Sequence, residues 1–405
     1  MNDYLLLSLL FVAIGVGWLL GRFSGHSQRS NTGANAPLPP QYYRGLNFLL
    51  DGSQDGAIDA FTQALAVNSE TLDTHIALGN VLRRRGEVER AIKVHQNLLA
   101  RPSLPVAQLH LAHLELARDY ISAGLLDRAE RLLLDLVGES GNHKRVAQRH
   151  LLEIYESQRD WRAASQIAQA LLPKKSLLGG TSSDSKDVGQ PVAVLLAHYC
   201  CEQAGDPSRR GDFTGERKLL QQALKYDRQC VRASLMLGDL ELRAGRPAEA
   251  LKALQRVKTQ NPAYIPETVN TLRACYVALD KRDAFLASLE ESFRFRPSTP
   301  LSLAITQELR AASGLEAAKI FLRKSLTKKP SLRGLAMLMA LHAKGASSDS
   351  DRIQIDIMKR LVESRSFYQC HHCGFKGQQL HWHCLGCKRW GTVVEVGAVG
   401  ELIRD

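Results

Sequence analysis

The residues of this chain best suited to chemistry are four cysteines near its C-terminus, Cys370, Cys373, Cys384 and Cys387. They form two C-x-x-C pairs with ten residues between them. Each pair makes a knuckle that offers two thiolates at a fixed angle, and two knuckles complete a tetrahedral shell around one metal ion. A lone C-x-x-C could equally be a redox dithiol, whereas the doubled pattern points to a tetrathiolate site. His371, His372, His381 and His383 lie close by. Four thiolates already satisfy the ion, so these histidines read as surface or packing residues. Sulfur-only tetrahedral sites accept iron or zinc, and the spacing alone leaves an electron-transfer centre open beside a structural one. A module of about 35 residues cannot fold on apolar burial alone, so its metal contributes directly to folding. Trp382 and Trp390 are placed to cover the knuckles or to dock the module on the last repeats of the body.

The other four cysteines, Cys200, Cys201, Cys230 and Cys275, fall inside apolar helical patterns, where cysteine behaves as a small buried hydrophobe. Thiols that must be reduced to load a metal favour the cytoplasm. The chain carries a net charge of +12. That excess is spread along many helices and reads as a solvated surface. With 10 Tyr, 11 Phe and 4 Trp, and no basic-aromatic stretch to stack bases, no nucleic-acid partner is expected. A zinc-ribbon nucleic-acid binder would need more than Lys376, Lys388 and Arg389 around the knuckles. No G-x-S-x-G, H-E-x-x-H or phosphate loop occurs, so an enzyme is not expected.

The body that positions the knuckles is periodic. Gly45, Gly79, Ala117, Leu152, Ala204, Gly238, Leu272 and Thr306 mark intervals of 34, 38, 35, 52, 34, 34 and 34 residues. Twelve residues after them stand Ala57, Ala91, Ala129, Ala164, Glu216, Ala250, Ala284 and Ala318. Seven residues after several of them come Gly52, Gly86, Gly124 and Gly245, where the chain must turn between two helices. This resembles the tetratricopeptide pattern, in which small residues let antiparallel helices approach closely. One helix pair cannot bury its own apolar face, so neighbours stack into a superhelix whose long surface binds proteins or peptides. The repeats are expected over 41–342, interrupted by a mobile loop at 173–191, rich in Gly, Ser, Lys and Asp. Ala343 to Asp351 is a second interruption. A last helix follows within 352–366, amphipathic over Arg352 to Ser364, and the metal module occupies 367–405.

Tyr4 to Gly21 is an uncharged run of 18 residues between Asp3 and Arg22. As a helix it would be about 27 Å long, enough for a bilayer core. Residues 1–22 are therefore expected to form a transmembrane anchor and 23–40 a flexible linker. Arg22, His26 and Arg29 follow the run, so the positive-inside rule places the short N-terminus in the periplasm and the body in the cytoplasm.

Gly374 after the first knuckle matches the rubredoxin pattern, while Lys388 stands in the equivalent place after the second and the spacer is shorter. A membrane helix, a tetratricopeptide stack and such a knuckle pair together resemble the LapB, or lipopolysaccharide assembly protein B, family. The resemblance is carried by Gly45 to Leu50, Leu78-Gly79-Asn80, Arg85 to Val88, Arg118-Asp119-Tyr120, Ala123-Gly124-Leu125 and Cys370 to Trp390. The long 173–191 segment and the changed residues inside the knuckles depart from it. The resemblance implies an all-α, inner-membrane adaptor with a rubredoxin-like module. It further implies that such a protein promotes degradation of the deacetylase LpxC by the membrane protease FtsH, with a further inner-membrane partner sensing lipopolysaccharide. Gathering of synthesis enzymes at the membrane is implied as well. A general assembly scaffold without proteolysis and a rubredoxin-like electron carrier stay open beside it, as does homo-oligomerisation.

Overall fold

The computed structural model describes residues 40–51, 53, 56–57, 60, 72–100, 105–139, 143–172, 190–342 and 349–396. The expected membrane helix Tyr4 to Gly21 lies outside them, as do the linker to residue 39 and positions 173–189 of the expected loop. Among the described residues no helix is long and apolar enough to cross a membrane. The chain divides into two compact units, Met1–His150 and Leu151–Asp405.

The first unit contains α1 (Pro40–Leu50), α2 (Leu72–Arg84), α3 (Val88–Leu99), α4 (Val106–Ser122) and α5 (Leu126–Gly138). The next helix, α6 (Lys144–Gln158), carries the chain across the division. The second unit continues with α7 (Trp161–Leu171), α8 (Val192–Gln203), the short α9 (Gly205–Arg209), α10 (Phe213–Tyr226), α11 (Val231–Arg243) and α12 (Pro247–Gln260). A 3-10 turn at Pro262–Tyr264 leads into α13 (Ile265–Ala278), α14 (Arg282–Phe295), α15 (Thr299–Ser313), α16 (Leu315–Lys328), α17 (Leu332–His342) and α18 (Asp349–Glu363). The last helix therefore starts three residues before the amphipathic pattern does.

The helix pairs are closed by one repeated device. A residue with left-handed φ ends the first helix, and the next N–H bonds back to the carbonyl five residues earlier, as Glu87 does to Leu82, Leu125 to Tyr120 and Arg246 to Glu241. Gly86, Gly124 and Gly245 hold this position as expected, with φ of 83°, 73° and 72°, and Gly211 makes the same turn, whereas Gly314 ends its helix with φ 91° and an extended ψ. Gly52 lies outside the described residues. Arg159 and Asp280 make the same turn with φ of 59° and 53°. A side chain there costs about 1–2 kcal/mol in the left-handed region. Arg159→Gly is accordingly expected to raise the unfolding free energy by up to about 1 kcal/mol, because glycine's larger unfolded-state entropy offsets part of the relief. A denaturant titration checks this, and a lower midpoint would contradict it.

Five residues after these turns the chain buries a small side chain: Ala91, Ala129, Ala164 and Ala250 are each fully buried. Two positions depart. Glu216 replaces alanine, is buried, and pairs with Arg243 at 2.7 Å, so the charge enters the core with its partner. At the other, Ala284 is exposed and Phe285 is buried in its stead. The turn at Asp280 comes one residue later than the strict 34-residue step places it, and the inward position moves with it.

Close approach is visible where the repeats carry glycine. A Cβ on Gly238 would lie 2.6 Å from Leu254 Cδ2, and one on Gly79 would overlap the His95 ring. That ring is itself fixed in the core of the first unit: His95 Nδ1 meets Asp119, which also accepts from Arg83 at 2.7 Å. After α18 the chain forms a small antiparallel sheet of β1 (Tyr368–Cys370), β2 (Lys376–Gly377) and β3 (Val393–Glu395), in the order β2-β1-β3. Tyr368 pairs with Gly377 on one side and Glu395 on the other.

Candidate metal centre

Both C-x-x-C pairs are built by one backbone pattern. In the first, Gly374 N–H donates to Cys370 O at 2.9 Å and Cys370 N–H donates to Phe375 O at 2.8 Å. In the second, Lys388 N–H donates to Cys384 O and Cys384 N–H to Arg389 O, each at 2.9 Å. Gly374 and Lys388 are both left-handed, with φ of 79° and 56°. The lysine that departs from the rubredoxin pattern therefore changes the residue without changing the turn.

The two knuckles face each other and bring the four sulfurs together. Cys370 and Cys387 Sγ are 3.8 Å apart, Cys373 and Cys384 Sγ are 3.6 Å apart, and all four lie within 4.8 Å of one another. A tetrahedron of thiolates about 2.3 Å from a central ion has edges of about 3.8 Å. The cage thus has the size and donor set for one metal ion. Burial resists charge on Cys370, but the Thr392 hydroxyl 3.3 Å away and the N–H groups of Cys373 and His372 outweigh it and bring the thiol down to about 6. Cys387 is pushed up to about 12 by burial and by the neighbouring sulfurs, and burial raises Cys384 too. Ionising all the sulfurs together needs a cation between them.

The histidines beside the knuckles stand outside this cluster. His371 and His372 are exposed. His381 meets the Phe375 ring edge-on, and His383 stacks on Trp390 at 4.4 Å while donating from Nε2 to Lys388 O at 2.8 Å.

Docking of the module reaches much further back than the last repeats. Trp390 is 2% exposed. Its indole N–H donates to Glu156 Oε1 on α6 at 3.0 Å, and the same oxygen accepts from Tyr199 on α8 at 2.6 Å. The Trp390 backbone N–H donates to the Gln190 side chain at 2.7 Å, and Gln190 Nε2 donates back to Trp390 O at 2.8 Å. Around the indole, His198 stacks at 5.0 Å and Trp161 meets it edge-on at 5.8 Å. Trp382 stacks on Tyr264 at 5.3 Å, and Tyr264 O–H donates to Val393 O at 2.8 Å. The later repeats contribute as well, with Tyr368 O–H donating to Glu267 on α13 at 2.9 Å and Arg333 on α17 pairing with Glu395 at 2.8 Å. The expected docking on the last repeats is present at Tyr264, Glu267 and Arg333, and the seat extends back from them to Glu156. Sequence reasoning missed Glu156, Trp161, Gln190, His198, Tyr199 and Tyr264. One signal was present in α8, whose run Val192 to Cys201 has no polar side chain apart from His198 and the hydroxyl of Tyr199, and the structure buries Leu196 to Cys201. A helix apolar all round is covered on more than one face, and here the module supplies the second cover.

His198 gives this seat a pH dependence. Burial, then the charges of Arg232 and His383, push its pKa from 6.5 down to about 3. The ring is therefore neutral when docked, and its contribution is complete above pH 6.5 and lost as pH falls from there toward 3. Glu395 works in the opposite sense, since burial, only partly opposed by Arg333, holds it up at about 7 instead of 4.5. Docking gains from that group as pH falls through 7 to 4.5. Comparison with His198→Phe isolates the histidine. The stability of wild type relative to this variant is expected to fall by about 1.4 kcal/mol per pH unit below 6.5. Tryptophan emission during urea titration reads it, and a constant difference would refute the assignment.

Residues 368–395 match the family described as rubredoxin metal binding domain, and residues 74–104 and 208–265 match the tetratricopeptide repeat. Along nearly its whole length the chain is similar to lipopolysaccharide assembly protein B of Escherichia coli (strain K12), at 34% identity over 98% of this chain and 99% of the relative. It is also 32% identical to the protein of the same name from Haemophilus influenzae, over 97% of this chain and 98% of that one.

Proposed function

The chain belongs to the lipopolysaccharide assembly protein B family, and from that premise we propose that it is a non-enzymatic adaptor that lowers lipopolysaccharide synthesis by promoting FtsH-mediated proteolysis of the deacetylase LpxC. The observation that carries an adaptor reading is the seat of the metal module on the repeats. Helices from α6 to α17 and the knuckle sheet form one protein-binding body, in which surface that repeats alone would leave open is already occupied. The body is held by residues 1–22 at the cytoplasmic face of the inner membrane, as the basic flank Arg22, His26 and Arg29 favours.

Adaptor action needs no chemistry from this chain. Holding protease and substrate on one anchored body raises their effective concentration for each other. A lipopolysaccharide-sensing membrane partner would act by changing that occupancy. The four cysteines hold one ion, iron or zinc, whose part is to fix the knuckle fold. Gathering of synthesis proteins on the same body is compatible with this arrangement.

The test is the half-life of the deacetylase in cells whose only copy of this chain lacks residues 1–22. A half-life lengthened to that of cells without the chain is the expected result. An unchanged half-life overturns the anchored adaptor and favours an assembly scaffold with no part in proteolysis.

A further inference from the structure

Where the metal module meets the later repeats, a cavity of about 280 Å³ opens between α13, α15, α17 and the end of the sheet where β1 starts and β3 finishes. Its walls are of two kinds. Val269, Leu303 and Ala304 give an apolar side, and Val269 and Ala304 are buried. The same lining carries charge, from Glu267, Glu395, Arg273 and Arg333. The exposed side chains of Asn270 and Gln307 rim its mouth.

Both guanidinium groups of this lining are already held by other carboxylates. Arg333 is bonded to Glu395 at 2.8 Å, and its guanidinium also lies over the Phe367 ring at 4.8 Å. Arg273 lines the pocket as well, but its Nε is held by Glu308 at 2.8 Å. Glu267 has the neutral phenol of Tyr368 as its bonded donor, at 2.9 Å. One carboxylate is therefore left without a cation of its own in a largely buried place. Burial raises the pKa of Glu267, with Tyr368 and Arg333 opposing it, as expected for a carboxylate short of positive charge. A group that fits here brings one positive charge on a slender apolar stem: the charge goes to Glu267, and the stem lies along Val269, Leu303 and Ala304. The rim amides of Asn270 and Gln307 carry the donors and acceptors that an extended backbone needs on either side of such a stem.

We propose that this pocket receives the side chain of a lysine or arginine from a protein held on the repeats. The proposal deepens the adaptor reading and rests on it for the nature of the partner. Because Tyr368 and Glu395 come from the module, the pocket exists only when the module is docked. Recognition of the partner is thereby tied to an intact metal centre.

The test uses the full chain, solubilised in detergent with its metal. Saturation-transfer NMR compares an acetylated, amidated Ala-Lys-Ala peptide with its norleucine counterpart and with n-butylammonium, all at millimolar concentration. The lysine peptide is expected to bind about tenfold more tightly than either, the size of one charge-assisted hydrogen bond. Glu267→Gln is expected to weaken the lysine peptide about tenfold, with metal content and tryptophan emission unchanged. Should that variant alter either control, Leu303→Trp, which fills the apolar part of the pocket without touching a docking contact, serves in its place with the same expectation. Equal binding of the norleucine peptide, no effect of the variant, or no transfer to the lysine peptide overturns the pocket assignment. Binding of n-butylammonium as tight as the peptide's overturns the partner in favour of a small-amine site. Any of these results with normal deacetylase turnover leaves the adaptor reading standing. A turnover unchanged in cells lacking the chain defeats that reading without touching the peptide result.

Discussion

Cys384→Ser is expected to empty the metal site and unfold residues 367–396 while leaving the repeat helices formed. Cys384 is fully buried, and its Sγ lies 3.6 Å from Cys373 Sγ, so serine puts a hard oxygen where the cage needs a soft sulfur. Binding of a structural ion to such small modules contributes about 10–16 kcal/mol. The short strands of the knuckle sheet offer little to replace it. Metal analysis should then fall from one ion per chain to a small fraction. Proteolysis should cut first within 367–396, and tryptophan emission should shift to the red as Trp390 meets water. Helical circular dichroism should change little, because the repeats pack their own alanine-lined cores. Full metal content in the variant would show that three sulfurs suffice. An emptied site with an undisturbed Trp390 would show that the module folds without its ion. Cys373→Ser should behave alike, although its side chain is exposed, since the cage loses a donor either way.

Trp390→Ala should separate docking from metal binding. The indole lies among His198, Trp161 and Tyr199 and donates to Glu156. Truncating a buried tryptophan costs about 3–5 kcal/mol, and the Glu156 carboxylate also loses a donor. The knuckle cage contains no atom of Trp390, so the ion stays. The expected signature is one metal per chain together with faster amide exchange in α8 and a new protease-sensitive site in 364–367, before β1. Wild-type exchange in α8 would mean that the seat is held by Trp382 and Tyr264 instead. The pair of variants thus assigns two roles to neighbouring parts of one module. Cys384 makes it fold, and Trp390 makes it stay.

The parts of this architecture legible in the sequence are those specified within a few residues. A C-x-x-C pair carries its own turn, so the cage could be read from spacing, and Gly86, Gly124 and Gly245 announce theirs by type. Arg159 and Asp280 make the same turn without the glycine, because the bond back to the preceding helix imposes the conformation whatever the side chain. A fixed 34-residue step then misplaces Ala284 by one residue. Glu216 interrupts the alanine series, and only the fold shows that Arg243, 27 residues on, makes this tolerable. Least legible of all was the seat of the module. Glu156, Gln190, His198 and Tyr199 reach Trp390 across a separation of 234 residues for the first of them. Periodicity has no term for such a pairing.

That separation has a consequence for how the protein is made. The surface of α8 that receives Trp390 is complete once its helix has left the ribosome, but its cover is translated 200 residues after Gln190. At about 5–20 residues per second the wait is about ten to forty seconds. Throughout it, His198, Tyr199 and Trp161 lack the indole that packs on them in the finished fold. A chain stopped short of the second knuckle would never gain it. Trp390 therefore closes a surface that was made long before it.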